Sequence, residues 1–312
     1  MVAYLFAGQG SQYAGMGKDL CESFPESRIV FEKADKTLGF SLSKLCFEGP
    51  QSELTKTANC QPAVLTVSIA ALEAFKAVTR QGSSQACLPA GMVASYVAGL
   101  SLGEYSALVA SGALSFEDAV YLVRRRGEFM EEEALKNPGK MLSLIGLDLD
   151  KVKEICLKTH TEIANINCPG QTVISGSQQD IESAKRLAEE GKAKMAVLLE
   201  VSGAFHSSFM KEATFKLAKE LDRISINKPE IPVISNVSAR PAILPEQIKE
   251  NLIKQMASSV LWEDSMRFIL SKGITNFIEF GPGKVLRGLM RRIDAKAEVV
   301  NIEKKQDLLS LS

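Results

Sequence analysis

The sequence of 312 residues lacks several features that would define a narrow class of protein. It has no net charge, because 37 basic residues balance 37 acidic ones, and this argues against a broad polyanion-binding surface. It has no apolar run approaching about 20 residues, so we do not expect a membrane span. A glycine-rich loop ending in Gly-Lys-Ser/Thr is also missing, which excludes the usual phosphate-binding loop. What remains is the ordinary composition of a soluble globular protein, with 46% hydrophobic and 24% charged residues.

Cysteine pairs with ligand-like spacing are absent as well. The six cysteines are scattered along the chain, at Cys21, Cys46, Cys60, Cys87, Cys156 and Cys168. No Cys-x-x-Cys pair occurs, and no signal peptide is recognisable at the start. We therefore expect reduced thiols, no metal site and a cytoplasmic protein.

One short motif is present that could carry chemistry. Gly99-Leu100-Ser101-Leu102-Gly103 follows the apolar run Met92–Ala98 and leads into a predicted helix over 106–110. Strand, Gly-x-Ser-x-Gly and helix are the context of a nucleophile elbow, although small residues also occur in ordinary turns between strand and helix. The glycines would let helix and strand pack closely, with backbone N–H groups near the serine. We predict that Ser101 is a nucleophile.

Histidine is scarce, which restricts the choice of a base for that serine. The only two are His160 and His206. His160 falls at the end of a predicted helix, where a histidine usually binds the last carbonyl groups. His206 lies in a Ser/Gly-containing turn where the chain leaves one structural unit for another, a common place for an active site. We predict that His206 is the base.

Two further polar residues have suggestive positions. Strand Val2–Phe6 is predicted to lead into a turn that contains the glycine-flanked Gln9. Such a turn lies at the sheet edge where α/β proteins bind ligands, although an ordinary glycine turn explains the pattern equally well. A helix is predicted from Ser115 to about Glu133, and within it Arg126 lies nearest the apolar face. A cation there needs an anionic partner or ligand, and a guanidinium suits a carboxylate. The adjacent Arg124 and Arg125 are predicted to face solvent.

In the middle of the chain the order of predicted strands and helices changes, which indicates a small inserted unit. Its strands and helices follow the ferredoxin-like order β-α-β-β-α-β: Met141–Ile145, Leu149–Thr159, Ile163–Asn167, Gln171–Ser175, Gln178–Glu190 and Ala193–Val201. The remainder alternates in α/β fashion, with helices predicted at Pro62–Ala77, Gln247–Ser258 and Val285–Ile293, strands at Ile231–Asn236 and Asn276–Phe280, and a loop at Gln81–Gly91. We expect a larger α/β subdomain, 1–135 and 202–312, and a smaller ferredoxin-like subdomain, 136–201.

The motifs, taken together and in order, resemble those of malonyl-CoA:acyl-carrier-protein transacylases, including discrete acyltransferases of polyketide assembly lines. The matching stretches extend over essentially the whole chain: Phe6–Gln12, Gly99–Tyr105, Arg126-Gly127, Asn165–Gly176, Gly203–Ser207, Ser235–Val237 and Phe280–Gly283. The resemblance implies that the larger subdomain is α/β-hydrolase-like. It also implies a monomer without a cofactor, which takes malonyl-CoA as substrate and an acyl carrier protein as partner.

The resemblance implies a role for each matched catalytic residue. Ser101 is the nucleophile and His206 the base, with the imidazole oriented by the backbone carbonyl of Gln255 in place of a carboxylate. Backbone N–H groups of Gln9 and Leu102 form the oxyanion hole.

The resemblance also implies four substrate-binding residues. Arg126 binds the free carboxylate of malonyl, and Asn236 lies near the catalytic histidine. Phe205 leaves little space for an α-branch and so favours malonyl. Leu100 departs from the family, in which a histidine commonly precedes the nucleophile, and this leaves acyl preference open. In a second departure, Ala7 replaces a usual proline, with a small expected effect on the backbone.

Two other functions remain open at this stage. A related hydrolase that removes stalled acyl groups from carrier proteins would use the same Ser101 and His206, but would have little use for a carboxylate-binding Arg126. A catalytically silent carrier-binding scaffold could keep the fold, although an intact serine and histidine argue against it.

Overall fold

The structure is a computed structural model that describes residues 1–80 and 94–310. The predicted loop Gln81–Gly91, together with Cys87, lies outside the described residues, as do Met92 and Val93 at the start of the predicted elbow strand. In the described ranges the strands, in chain order, are β1 (Val2–Phe6), β2 (Tyr96–Gly99), β3 (Lys140–Ile145), β4 (Glu162–Cys168), β5 (Gln171–Gly176), β6 (Met195–Leu198), β7 (Val233–Ile234), β8 (Pro241–Ala242), β9 (Val260–Leu261), β10 (Asn276–Phe280) and β11 (Glu298–Ile302).

The helices of the same ranges surround and connect these strands. They are α1 (Lys18–Ser23), α2 (Pro25–Leu38), α3 (Leu42–Glu48), α4 (Gln51–Thr55), α5 (Thr57–Arg80), α6 (Gly103–Ala110), α7 (Phe116–Lys136), α8 (Leu149–Thr159), α9 (Gln178–Glu190), α10 (Lys211–Leu221), α11 (Pro245–Gln255), α12 (Trp262–Ser271), α13 (Val285–Ile293) and α14 (Lys305–Leu309). Helix α7 is capped at its N-terminus, where Ser115 Oγ accepts a hydrogen bond from the Asp118 N–H at 3.0 Å.

A six-stranded sheet forms the larger layer, in the order β11-β10-β1-β2-β7-β8. Its strands are parallel except for β8, which runs antiparallel to β7. Strand β1 lies in the middle and is buried along its whole length, with alternate side chains in the cores on the two faces of the sheet. A parallel sheet covered on both faces is the expected setting for a βα turn that carries a functional residue.

The smaller sheet has the order β6-β3-β5-β4-β9. Strands β3 to β6 pair antiparallel in the ferredoxin-like arrangement, which matches the predicted order of elements. Strand β9 comes from the larger part of the chain and pairs parallel with β4, a connection that the sequence pattern does not indicate. We propose that residues 136–201 form the smaller subdomain and that 1–135 and 202–312 form the larger one, since β3 to β6 all lie within 136–201.

Helix α5 is the long core helix of the larger layer. Its segment Thr57–Thr79 is long and apolar enough to cross a membrane. However, 72% of its most apolar 18-residue stretch is buried inside the protein, as is usual for a core helix. The helix begins five residues before the predicted start at Pro62, which sits inside its second turn. Proline there cannot donate to the Ala58 carbonyl four residues earlier, and that carbonyl instead accepts a hydrogen bond from Arg124 Nη1 at 3.2 Å.

Candidate active site

The predicted elbow is present and is shaped by close packing of backbone. A Cβ on Gly99 would lie 1.9 Å from the Gly103 carbonyl carbon, and one on Gly103 would lie 2.2 Å from the Phe6 carbonyl oxygen. Only glycine therefore allows α6 to begin this close to β1 and β2. Between them Ser101 adopts a left-handed backbone conformation, with φ 52°. A non-glycine residue held in that region is uncommon and typical of a functional site.

His206 meets Ser101 from the junction after β6. Its Nε2 lies 2.8 Å from Ser101 Oγ, and its Nδ1 lies 2.9 Å from the backbone carbonyl oxygen of Gln255. Because a carbonyl only accepts, Nδ1 carries the proton and Nε2 is free to accept the serine proton. His206 also has a left-handed φ of 58°, so both members of the pair are held in strained backbone.

The carbonyl of Gln255 is available because of where a helix ends. Helix α11 stops at Gln255, three residues before its predicted end at Ser258. Carbonyl groups in the last turn of a helix have no partner within it, and here His206 supplies one. The structure thus brings the Gln255 backbone carbonyl against the imidazole, at the position for which the resemblance implies an orienting role.

Burial sets the charge of the imidazole. Desolvation, with the nearby charge of Arg126, lowers the pKa of His206 to about 4, against the opposing effect of its hydrogen bond to Gln255. The ring is therefore neutral across the physiological range and ready to accept a proton.

Arg126 lies beneath the serine, 1% exposed. Its Nη2 donates to Ser101 Oγ at 3.0 Å and to Gln255 Oε1 at 3.1 Å, while Nη1 donates to Gln61 Oε1 at 2.8 Å. Its Nε has no hydrogen-bond partner, and no carboxylate of the described residues lies within 4.0 Å of the guanidinium. A buried guanidinium with an unused donor and no anion in contact is prepared for an anionic ligand.

The two neighbouring arginines have different surroundings. Arg124 and Arg125 are 26% and 36% exposed and both form ion pairs with Glu128. The predicted division of the three, with Arg126 alone at the buried side, therefore agrees with the structure.

Two backbone N–H groups near the serine stay free for a ligand. In residues 1–80 and 94–310, the N–H groups of Gln9 and Leu102 donate no hydrogen bond. The side chain of Gln9 turns away, towards Thr57 Oγ1 at 3.4 Å. Free N–H groups on the elbow and on the loop after β1 are what an oxyanion hole requires. At Ala7, the position of the usual proline, the N–H donates to the Phe280 carbonyl at 3.2 Å, a bond that proline could not make.

A cavity of about 530 Å³ opens over Ser101 and His206, between the two sheets. Leu100 and Phe205 line it beside the serine, as their prediction as substrate-binding residues requires. Amides from the smaller sheet line the opposite wall, and the exposed helix α13 contributes Val285 and Leu289. An apolar cleft with a few polar groups near a nucleophile is the usual form of a small-molecule site.

The structure places Asn236 differently from its prediction as a substrate-binding residue. Its side chain is fully buried, with Oδ1 accepting from the Ser101 N–H at 2.6 Å and Nδ2 donating to the Gly99 carbonyl at 2.8 Å. Both polar atoms are thus used by the elbow itself. Strand β7 ends at Ile234, two residues before its predicted end, and this frees Asn236 to reach the elbow. We assign it to holding the elbow in shape.

Two buried residues of the site have no counterpart among the predicted ones. Gln61 receives Arg126 Nη1, and Glu104 accepts hydrogen bonds from Gln255 Nε2 at 2.7 Å and from the Asn236 N–H at 3.0 Å. Burial raises the pKa of Glu104 to about 7, although these hydrogen bonds and the charge of Arg126 oppose the rise. A charged residue in the first turn of an otherwise apolar helix was the available signal for Glu104.

The second histidine has no contact with the serine. His160 is exposed and ends α8 in a left-handed conformation, with φ 55°. The structural role that we predict for it is compatible with this position, which leaves His206 as the imidazole at the site.

His206 and Glu104, both buried in the site, should have opposite effects on how stability changes with pH. The folded-state pKa of His206 is lowered from 6.5, so its contribution is complete above pH 6.5 and is lost as the pH falls towards 4. The folded-state pKa of Glu104 is raised from 4.5, so its contribution is complete below pH 4.5 and is lost as the pH rises towards 7. Their effects therefore oppose each other between these limits.

Glu104→Gln should separate the two effects, because it removes one titration. The free energy of unfolding of the wild type minus that of Glu104→Gln should fall between pH 4.5 and 7, by on the order of 3 kcal/mol. For His206→Asn the corresponding difference should rise with pH. Urea denaturation at a series of pH values measures both, and parallel curves would contradict the assigned burial effects.

Comparison with known proteins gives the family. A family model described as acyl transferase domain matches residues 3–304. The chain is 48% identical over 306 residues to the malonyl CoA-acyl carrier protein transacylase of Bacillus subtilis (strain 168), which covers 96% of this chain and 93% of that protein. Among solved structures it resembles the acyl-carrier-protein-S-malonyltransferase of Bartonella henselae, with TM-score 0.93, 39% identity and coverage of 99% and 97%.

A second solved structure contains a partner. It is described as a type II PKS acyl-carrier protein in complex with its malonyl-transacylase, and it matches with TM-score 0.92, 35% identity and coverage of 99% of this chain and 98% of that one. These matches extend over nearly the whole length on both sides. The chain therefore belongs to the acyl transferase family.

Proposed function

We propose that this protein moves a malonyl group from malonyl-CoA to the phosphopantetheine thiol of an acyl carrier protein. One observation carries the proposal: a buried Arg126, which contacts no carboxylate of residues 1–80 and 94–310, lies 3.0 Å from the hydroxyl oxygen of a serine that is paired with a neutral histidine. The serine and histidine can carry out acyl transfer, and the Arg126 guanidinium can bind the carboxylate at the end of a malonyl group. The names of the compared proteins support the same donor and acceptor.

In the first half-reaction Ser101 Oγ attacks the thioester carbonyl carbon while His206 Nε2 takes the hydroxyl proton. The negative charge that develops on the carbonyl oxygen is held by the N–H groups of Gln9 and Leu102. The carbon–sulfur bond then breaks, and the imidazolium gives its proton to the departing CoA sulfur. A malonyl ester on the serine remains, with its carboxylate held by Arg126.

In the second half-reaction the thiol of the carrier attacks the ester carbonyl carbon. His206 takes the thiol proton and returns it to Ser101 Oγ as the carbon–oxygen bond breaks, so the enzyme is restored. The same oxyanion hole serves both steps. The resulting ping-pong order requires that the carrier thiol reach the ester before water does.

A basic surface lies on a helix that borders the cavity, and we expect the carrier and the phosphates of CoA to approach there. Helix α13 lines the cavity through Val285 and Leu289 and exposes four cations, Lys284, Arg287, Arg291 and Arg292. None of the four pairs with a carboxylate of the described residues within 4.0 Å, and Arg292 donates to Gln171 Oε1 at 2.6 Å. Unpaired cations beside a cleft attract anionic partners. We also propose that the protein is a monomer, since one chain supplies every residue of the site. We further propose a cytoplasmic location, on the basis of the scattered cysteines.

Reversal of charge on α13 tests this surface. Arg287→Glu with Arg291→Glu should raise KM for both malonyl-CoA and the carrier, by about tenfold at low salt, with little change in kcat. The control is a second double charge reversal, Lys151→Glu with Lys158→Glu on α8, seven positions apart, which should leave both KM values unchanged. Steady-state kinetics at two salt concentrations measures the effect. An unchanged KM for both substrates would exclude α13 as their docking surface.

A transfer assay distinguishes the proposed function from the two alternatives. The protein is incubated with labelled malonyl-CoA and a carrier protein that bears phosphopantetheine, with the same carrier lacking phosphopantetheine as control. A transferase labels only the complete carrier. Release of free malonate without labelled carrier would identify the hydrolase, and no turnover at all would identify the silent scaffold.

A further inference from the structure

Glu104 is a buried carboxylate that takes no part in the reaction steps given above. It lies in the first turn of α6, directly after the elbow, and is 3% exposed. A single oxygen, Oε2, receives both the Gln255 side-chain amide at 2.7 Å and the Asn236 N–H at 3.0 Å. A carboxylate in such a place needs hydrogen bonds to compensate its lost hydration, and these are directed at residues that hold the site.

Gln255 connects this carboxylate to all the reactive groups. Its Nε2 donates to Glu104 Oε2 and, at 3.1 Å, to the Ser101 carbonyl oxygen. Its Oε1 accepts from Arg126 Nη2 at 3.1 Å, and its backbone carbonyl accepts from His206. The side chain therefore has a donor end and an acceptor end, each with a defined partner.

Reversal of the amide would set like groups against each other. The NH₂ group would face the guanidinium, donor against donor, while the amide oxygen would face Glu104 Oε2 and the Ser101 carbonyl. Three oxygens accept from the donor end, Glu104 Oε2 at 2.7 Å, the Ser101 carbonyl at 3.1 Å and Asn236 Oδ1 at 3.5 Å, and the hydrogen bond to Glu104 is the shortest. Hydrogen bonds to a charged or strongly polarised oxygen are also stronger than those to a backbone carbonyl.

We propose that Glu104 is a positioning residue for acyl selectivity, which orients the Gln255 amide and thereby places Arg126 Nη2 beside Ser101. The inference rests on the proposed function, since it assigns Arg126 to the acyl carboxylate.

The indirect arrangement has a chemical advantage. When it is ionised, Glu104 supplies a negative charge near Arg126, and the two interact electrostatically through space. Because no ion pair joins them within 4.0 Å, the guanidinium is not occupied by an internal carboxylate that would compete with malonyl. The Gln255 amide thus separates the compensating charge from the binding group.

The test compares Glu104→Met with Glu104→Gln by the ratio of kcat/KM for malonyl-CoA to that for acetyl-CoA, measured as self-acylation. Methionine has similar length but no acceptor oxygen, so the ratio should fall about tenfold. Glutamine retains an oxygen for the Gln255 amide and should keep the ratio within about threefold of the wild type. Glu133→Gln replaces another buried carboxylate, 2% exposed, on the helix that carries Arg126, and should leave the ratio unchanged.

A double-mutant cycle shows whether Glu104 acts through Gln255. Gln255→Met removes the amide but keeps the backbone carbonyl for His206, and alone it should lower the ratio about as much as Glu104→Met. In combination, Glu104→Met should add no further change in the ratio. If Glu104→Met does not fold, the ratio for Gln255→Met still decides, and an unchanged ratio overturns the proposal.

The remaining outcomes are distinct. Equal losses with malonyl-CoA and acetyl-CoA, or equal loss of the ratio in the Met and Gln variants of Glu104, would overturn the positioning role. A wild-type protein that accepts no malonyl would instead defeat the proposed function itself.

Discussion

Replacement of Arg126 by alanine should lower kcat/KM for malonyl-CoA by about a hundredfold or more, while acetyl-CoA is used as well as before or better. The malonyl carboxylate would lose its cationic partner, and such a buried charge contact contributes roughly 2–5 kcal/mol. An uncharged acyl group, in contrast, no longer leaves a buried guanidinium without an anion. Competition between the two thioesters, with the acyl-enzyme identified by intact mass, measures the ratio directly.

Arg125→Ala is the matched control for this experiment. It removes the adjacent arginine from the same helix, where the side chain is 36% exposed and pairs with Glu128. Its acyl selectivity should equal that of the wild type. If Arg126→Ala and the wild type select malonyl equally, the guanidinium does not bind the acyl carboxylate.

Replacement of His206 by alanine should lower the rate of self-acylation by about 10²–10⁴-fold, the usual contribution of a positioned general base. Ser101 would keep its oxyanion hole but would have no group to take its proton. The effect should appear in kcat, because the imidazole contacts the reacting oxygen at 2.8 Å. Rapid-quench measurement of the acyl-enzyme gives the rate.

His160→Asn is the control, because it removes the other histidine and because asparagine tolerates the left-handed conformation at the end of α8. That variant should acylate at the wild-type rate. The wild-type rate should also show no loss between pH 8 and about pH 5, since the pKa of His206 is lowered to about 4. A loss centred near the ordinary histidine pKa of 6.5 that persists in Glu104→Gln would contradict the buried, neutral imidazole.

Local features of the site could be predicted because they depend on local backbone and periodicity. Gly99, Ser101 and Gly103 form a turn whose geometry follows from neighbours in sequence, and the structure shows the close approach that excludes any side chain at the glycines. Arg126 could be separated from its two neighbours because helical periodicity alone places it on the buried side. The scarcity of histidine then left few candidates for the base.

The supporting polar network could not be predicted in the same way. Glu104 and Gln255 are 151 positions apart in sequence, and no local pattern pairs them. Where α11 ends, and therefore which carbonyl faces His206, depends on a contact across 49 positions. The resemblance implies a substrate-binding Asn236 near the catalytic histidine, but its amide is used by the elbow. Buried hydrogen bonds of this kind depend on the assembled fold.

Identification of the acylated residue tests the central claim most directly. The protein is mixed with malonyl-CoA, quenched in acid, digested and analysed by peptide mass spectrometry, with Ser101→Ala in parallel. We expect one malonyl ester, on Ser101, which disappears when a carrier bearing phosphopantetheine is added before the quench and never forms in Ser101→Ala. A malonyl group on any other residue, or an ester on Ser101 that the carrier cannot remove, would contradict acyl transfer by this site.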